Sequence, residues 1–77
     1  MYLYIMKNNN RIYGNNIIVG TKDGKKLYYN WHQDRMVEDK TQATGYTISA
    51  HAKLVIREIK SVIPGYTWTT ELDKPAA

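Results

Sequence analysis

From Ile48 onward the chain changes period, and that change limits the folds open to it. Ile48, Ala52, Val55, Ile56, Ile59, Val62 and Ile63 fall at the i, i+4, i+7, i+8 spacing of one helical face. Pro64-Gly65 stops the run, and Thr47 or Ser49 can cap its start. The spacing therefore predicts a single helix over about 48–63, set within a chain that otherwise reads as strands.

The strand signals lie on both sides of it. Tyr2–Lys7 (YLYIMK) is aromatic and β-branched, Asn8-Asn9-Asn10 suits a turn, and Ile12–Tyr13 can resume pairing. Asn16–Lys22 (NIIVGTK) is a second strand, and Asp23-Gly24 is the dipeptide that tight hairpins prefer. Leu27–Trp31 is then the returning strand. Arg35–Lys40 reads as a short further strand, Thr41–Gly45 as loop, Tyr66–Leu72 (YTWTTEL) as a last strand and Asp73–Ala77 as a frayed tail. The expected architecture is one small α+β domain spanning 1–77. It has a mostly antiparallel sheet of three to five strands, with the helix packed on one face.

One helix covers one face of a sheet, yet every strand alternates between two. On the returning strand Leu27, Tyr29 and Trp31 should point one way, toward the core, and Lys26, Tyr28 and Asn30 the other. With seven tyrosines and two tryptophans, some aromatics are expected on the uncovered face, and an exposed aromatic patch marks an interface.

Size and charge narrow the function. A chain of 77 residues buries only roughly 60% of its unfolded surface, and with no cysteine it has neither disulfides nor thiolate chemistry to reinforce it. The apolar run at the start is cut at Lys7, too short for a signal-peptide core or a membrane span. The expected setting is soluble and cytoplasmic, with no membrane contact. The net charge is +4, and Lys7, Arg11, Lys22, Lys25 and Lys26 face only Asp23 within residues 1–33. Such a bias favours anionic partners.

Catalysis has little to build on. The only histidines are His32 and His51, the adjacent Glu38-Asp39 would face opposite ways on a strand, and Gly20 and Gly24 flank a hairpin instead of cradling a phosphate. Neither a metal site nor a cofactor is expected, since the histidines and acids lack ligand spacing. The stronger candidates are surface residues. Lys53, Arg57 and Lys60 share the outer face of the helix at i, i+4 and i+7, and a like-charge pair four residues apart is mildly unfavourable without a partner. In KKLYYNWHQ (25–33), Lys26 and Tyr28 are the outward candidates.

The run Met36-Val37-Glu38-Asp39-Lys40-Thr41-Gln42-Ala43-Thr44-Gly45-Tyr46, with Ala52 and Val55-Ile56 after it, resembles a pattern of small phage and prophage accessory proteins. The likeness covers roughly 25–63, with Met36 where tryptophan is usual and Ile48 where a capping polar residue is common. It implies a non-enzymatic protein that binds and modulates, by inhibition, a host macromolecule, in the host cytoplasm, and it carries over no catalytic residues. The expected partner is a host protein, met by Lys26, Tyr28, Lys53, Arg57 and Lys60. A nucleic-acid module using Lys22, Lys25, Lys26 and Tyr28 is the alternative, and a homodimer seam a third.

Overall fold

The structure, a computed structural model, describes Arg11 and residues 14–73. The expected strand Tyr2–Lys7, the pair Ile12–Tyr13 and residues 74–77 lie outside the described residues.

The hairpin forms at the expected dipeptide. β1 (Asn16–Lys22) and β2 (Lys25–Asn30) pair from Val19↔Tyr28 to Lys22↔Lys25. Asp23 and Gly24 between them have φ of 53° and 77°, the two left-handed residues that a primed turn needs. β3 (Arg35–Val37) pairs antiparallel with β2, and β4 (Thr67–Leu72) returns antiparallel along the other side of β1. The sheet order is β3-β2-β1-β4. With α1 (Ser49–Ile59) packed on it, this is a small α+β fold.

The returning strand runs over Lys25–Asn30 instead of Leu27–Trp31, and the last one starts at Thr67 instead of Tyr66. Three further boundaries differ from the sequence reading. β3 stops at Val37, short of Lys40, because the Asp39 side chain accepts from the amide (3.0 Å) and hydroxyl (2.7 Å) of Thr41 and starts a 3-10 turn over Lys40–Gln42. The N-cap of α1 is Ile48, in extended conformation and without a side-chain cap bond, so neither Thr47 nor Ser49 fills the capping position. The regular helix ends at Ile59 with Lys60 as its C-cap, and the chain tightens into a turn ahead of Pro64, which disfavours helical backbone at Ile63. The amides of Val62 (2.9 Å) and Ile63 (2.7 Å) both turn back to the Ile59 carbonyl.

β1 sits between β2 and β4, and Ile17, Ile18 and Val19 are all essentially inaccessible. Three consecutive buried aliphatics require cover on both faces of the sheet. On one face Ile18 and Tyr29 pack with Ala52 and Ile59 of α1, together with Tyr46, Met36, Val55, Ile56, Ile63 and Trp68. On the other, Ile17 and Val19 pack with Ala43, and Tyr28 lies against them.

Residues 40–46 link the two layers, since Ala43 belongs to one and Tyr46 to the other. The segment is fastened to the ends of both hairpin strands. The Thr44 amide donates to the Tyr29 carbonyl (3.0 Å), and Asn16 and Tyr46 exchange backbone bonds of 3.1 and 2.7 Å. Of the Thr41–Gly45 stretch expected to be loop, residues 43–45 are thus buried, as is Tyr46 after them.

Two of the expected orientations on the returning strand are reversed. Trp31, expected in the core, is 61% exposed, whereas Asn30, expected outward, is 2% exposed. The chain leaves the sheet at Asn30, so strand alternation no longer governs Trp31. Among the described residues no tyrosine is fully exposed, and the aromatic sheet face expected to be bare carries a half-buried Tyr28.

The passage of residues 40–46 requires two backbones to meet. A Cβ on Gly45 would stand 1.8 Å from the Gly14 carbonyl oxygen, and one on Gly14 2.5 Å from that of Tyr46. Gly45→Ala is therefore expected to cost about 3 kcal/mol, as overpacking against fixed backbone does. Urea unfolding checks this, and an alanine variant within about 0.5 kcal/mol of the parent, as for an ordinary surface change, would refute it.

Candidate partner-binding surfaces

The buried side of α1 fixes what its other side presents. Ala52 and Ile59 are buried and Val55 and Ile56 half-buried, which turns Lys53, Arg57 and Lys60 outward. At a helical rotation of 100° per residue the three cations fall within an arc of about 60°. All three are exposed. Among the described residues the ion pairs engage Arg11, Lys25, Lys26 and Lys40, and none engages this stripe. Arg57 in the last turn and Lys60 at the C-cap sit favourably at the negative end of the helix dipole. Leu54, 55% exposed, borders the stripe, and Val62, 73% exposed, lies just beyond it.

The hairpin candidates lie elsewhere. Tyr28 pairs with Val19, so it projects from the face opposite α1, and Lys26 shares that face two residues along. The five candidates therefore form two groups separated by the thickness of the sheet, and the structure does not bring them together. Tyr28 is half-buried against the Ile17, Val19 and Ala43 cluster. The Lys26 amino group is 3.9 Å from Glu71, Lys25 is paired with Glu38, and Lys22 lies over the Tyr66 ring at 5.5 Å from its centroid.

Lys26 is one end of a charge ladder that sequence reasoning did not find. Glu71 also accepts from Lys40 at 2.7 Å, Lys40 reaches Asp73 at 3.6 Å, and Asp73 pairs with Arg11 at 2.9 Å. The Arg11 guanidinium also donates to the carbonyls of Ala43 (2.9 Å) and Lys40 (2.7 Å), so one side chain holds both the 40–43 turn and the end of β4. The partners of Arg11 lie 29, 32 and 62 residues away, beyond the reach of any local pattern. Asp73, expected to open a frayed tail, is held by this pair and by its amide, which donates to the Asn15 carbonyl. Arg11, then Lys40, keeps the Asp73 carboxyl below its usual range, while Glu71 raises the Lys40 ammonium.

Each of the two histidines meets an aromatic ring. His32 stands edge-on to Trp31 (5.4 Å) and His51 edge-on to Tyr46 (5.0 Å). Asp34 accepts from the Tyr29 hydroxyl at 2.8 Å, and burial followed by that bond pushes the Tyr29 pKa up. Burial pushes the Tyr46 hydroxyl up to about 12. Among the described residues no three histidine, aspartate or glutamate side chains are grouped to hold a metal ion, and no helix is long and apolar enough to cross a membrane.

No protein-family model matches the chain, and no curated protein or solved structure matches it.

The ladder yields a stability test. Arg11→Ala removes a largely shielded cation and three of its hydrogen bonds, leaving two carbonyls and a carboxylate to find other partners. A loss of about 3 kcal/mol is expected. Asp73 is the titrating member. Its folded pKa is depressed, so its contribution is complete above the unfolded value of about 4 and is lost as pH falls through the folded value. Denaturant unfolding measured from neutral pH down to about 2 should show Asp73→Asn flattening the acid-side decline. Parallel curves for variant and parent would dismiss the pair as a contributor.

Proposed function

We propose that the chain is a non-enzymatic accessory protein, of the small phage type its sequence resembles, that binds a host protein and inhibits it by occupancy. The contact runs through the outer face of α1, where Lys53, Arg57 and Lys60 meet an acidic surface and Leu54 and Val62 bury apolar area beside them. The observation that carries this reading is the contrast between two sets of cations. Those of the hairpin are coupled to Glu38, Glu71 or the Tyr66 ring, whereas those of the helix have no ion-pair partner among the described residues. A row of like charges is mildly unfavourable alone and becomes favourable against a complementary surface.

The same contrast argues against a nucleic-acid platform on the hairpin. Base stacking needs an aromatic face open to solvent, and Tyr28 spends much of its surface on Ile17, Val19 and Ala43.

The test is capture from a bacterial lysate on the immobilised chain, with Lys53→Glu/Arg57→Glu/Lys60→Glu and Lys25→Glu/Lys26→Glu variants alongside. The helix variant should bind the captured protein at least about tenfold more weakly and the hairpin variant about as well as the parent. Equal capture by all three forms, or a mobility shift of single- or double-stranded DNA that disappears steeply with salt, would overturn the proposal.

A further inference from the structure

Trp31 is the largest apolar side chain in the exposed set, and it stands on an unusually well-fixed piece of backbone. Continued strand alternation would have turned it toward α1 with Tyr29. Instead its amide donates to the Thr44 hydroxyl at 2.8 Å, and the chain turns through 31–34. Asp34 closes that turn by donating its amide to the Trp31 carbonyl (3.2 Å), with a left-handed φ of 52°. Its carboxylate accepts from the buried Tyr29 hydroxyl. Beneath the turn lies the Asn30 side chain, whose Oδ1 accepts from the Gln33 amide (2.8 Å) and whose Nδ2 donates to the Gln42 carbonyl (2.7 Å). Tyr29, Asn30 and Thr44 are all buried, so the turn is held from below by groups that cannot easily move.

The indole itself contributes little to this framework. Among the described residues its one ring contact is the edge of His32, itself exposed. A rigid support under an exposed tryptophan has a clear physical use. An indole offers a large contact area with only two rotatable bonds, and a preordered backbone removes most of the entropy lost on docking. Tryptophan is also among the residues most enriched at the energetic centres of protein interfaces.

We propose that Trp31 is an anchor residue that inserts into an apolar pocket on the partner protein. The surroundings specify that chemistry. Asp34 and Arg35 cancel in charge, so the turn lacks the positive field that would draw a phosphate polymer, and His32 and Gln33 supply a polar rim around one apolar centre. The inference rests on the reading of the chain as a binding protein, and it adds to the α1 stripe a contact on a turn outside it.

The test uses the host protein captured on the parent chain, purified, with Trp31→Ala, Trp31→Phe and Trp31→Glu. The alanine variant should keep its melting temperature within about 3 °C, as a solvent-exposed residue allows. Its affinity should fall by about 30-fold or more, with phenylalanine intermediate and glutamate weakest. In a Trp68→Phe background, where Trp31 is the only tryptophan left, its fluorescence should shift to the blue when the partner is added. Unchanged affinity of Trp31→Ala, or no emission shift, would overturn the assignment. A markedly lowered melting temperature would make Trp31 a structural residue, and a dimer that Trp31→Ala converts to monomer would make a second copy the occupant. If the α1 charge variant loses the captured protein while Trp31→Ala keeps it, the anchor fails alone. If the parent captures nothing, the anchor and the binding function fail together.

Discussion

The fold depends on the passage of residues 40–46 across the end of the sheet. β1 carries Ile17, Ile18 and Val19 in succession, and a single helix can shield only one side of that run. Residues 40–46 supply Ala43 to the side away from α1 and Tyr46 to the side beneath it. They reach both because Gly14 and Gly45 let two backbones approach closer than any side chain would allow. Arg11 then bonds the carbonyls of Lys40 and Ala43 while pairing with Asp73, so one guanidinium fixes the segment to the end of β4. In a chain without cysteine, this clasp does what a disulfide would do in a secreted domain of similar size.

What could be read from the residues follows from the range of the interactions that decide them. β1 coincides with the expected Asn16–Lys22, and the hairpin turns at Asp23-Gly24, since strand propensity and left-handed backbone are local properties. The inward face of α1 was legible for the same reason at Ala52, Val55, Ile56 and Ile59, but Ile48 and Val62, expected on that face, lie beyond the regular helix and are exposed. Its start is set by Ile48, whose neighbours carry the better capping side chains, and its last turn gives way before Pro64. The burial of Asn30 and the exposure of Trp31 could not be foreseen. Both follow from bonds to Gln42 and Thr44, which lie 12 and 13 residues away in a stretch with no periodicity of its own.

The same distinction separates the candidate surfaces. Cations are equivalent in a count of net charge, and only the fold divides them. Arg11 and Lys40 are drawn into a ladder with Glu71 and Asp73 that closes the structure, and Lys26 touches its end. A charge committed in this way adds little to the field that a partner meets. Lys53, Arg57 and Lys60 stay outside the ladder because the inward periodicity of α1 leaves them on its far side, where no strand or loop acid stands opposite among the described residues. The helix therefore presents openly the positive bias that the composition shows for the whole chain.

Asn30 shows how strongly the turn beyond β2 is specified. Burying an amide side chain without partners costs on the order of 1–3 kcal/mol, a large share of the stability that a domain of this size can have. The cost is offset only because Oδ1 takes the Gln33 amide and Nδ2 the Gln42 carbonyl, which ties the 31–34 turn to the crossing segment. A turn needed only for chain reversal could be built from exposed glycine or asparagine with no buried amide beneath it. This one has a fully buried asparagine, a buried tyrosine hydroxyl and a buried threonine under it, and carries an indole that the interior does not use. Its backbone is tied to the same segment that completes the core, and that tie sets where the exposed indole is presented.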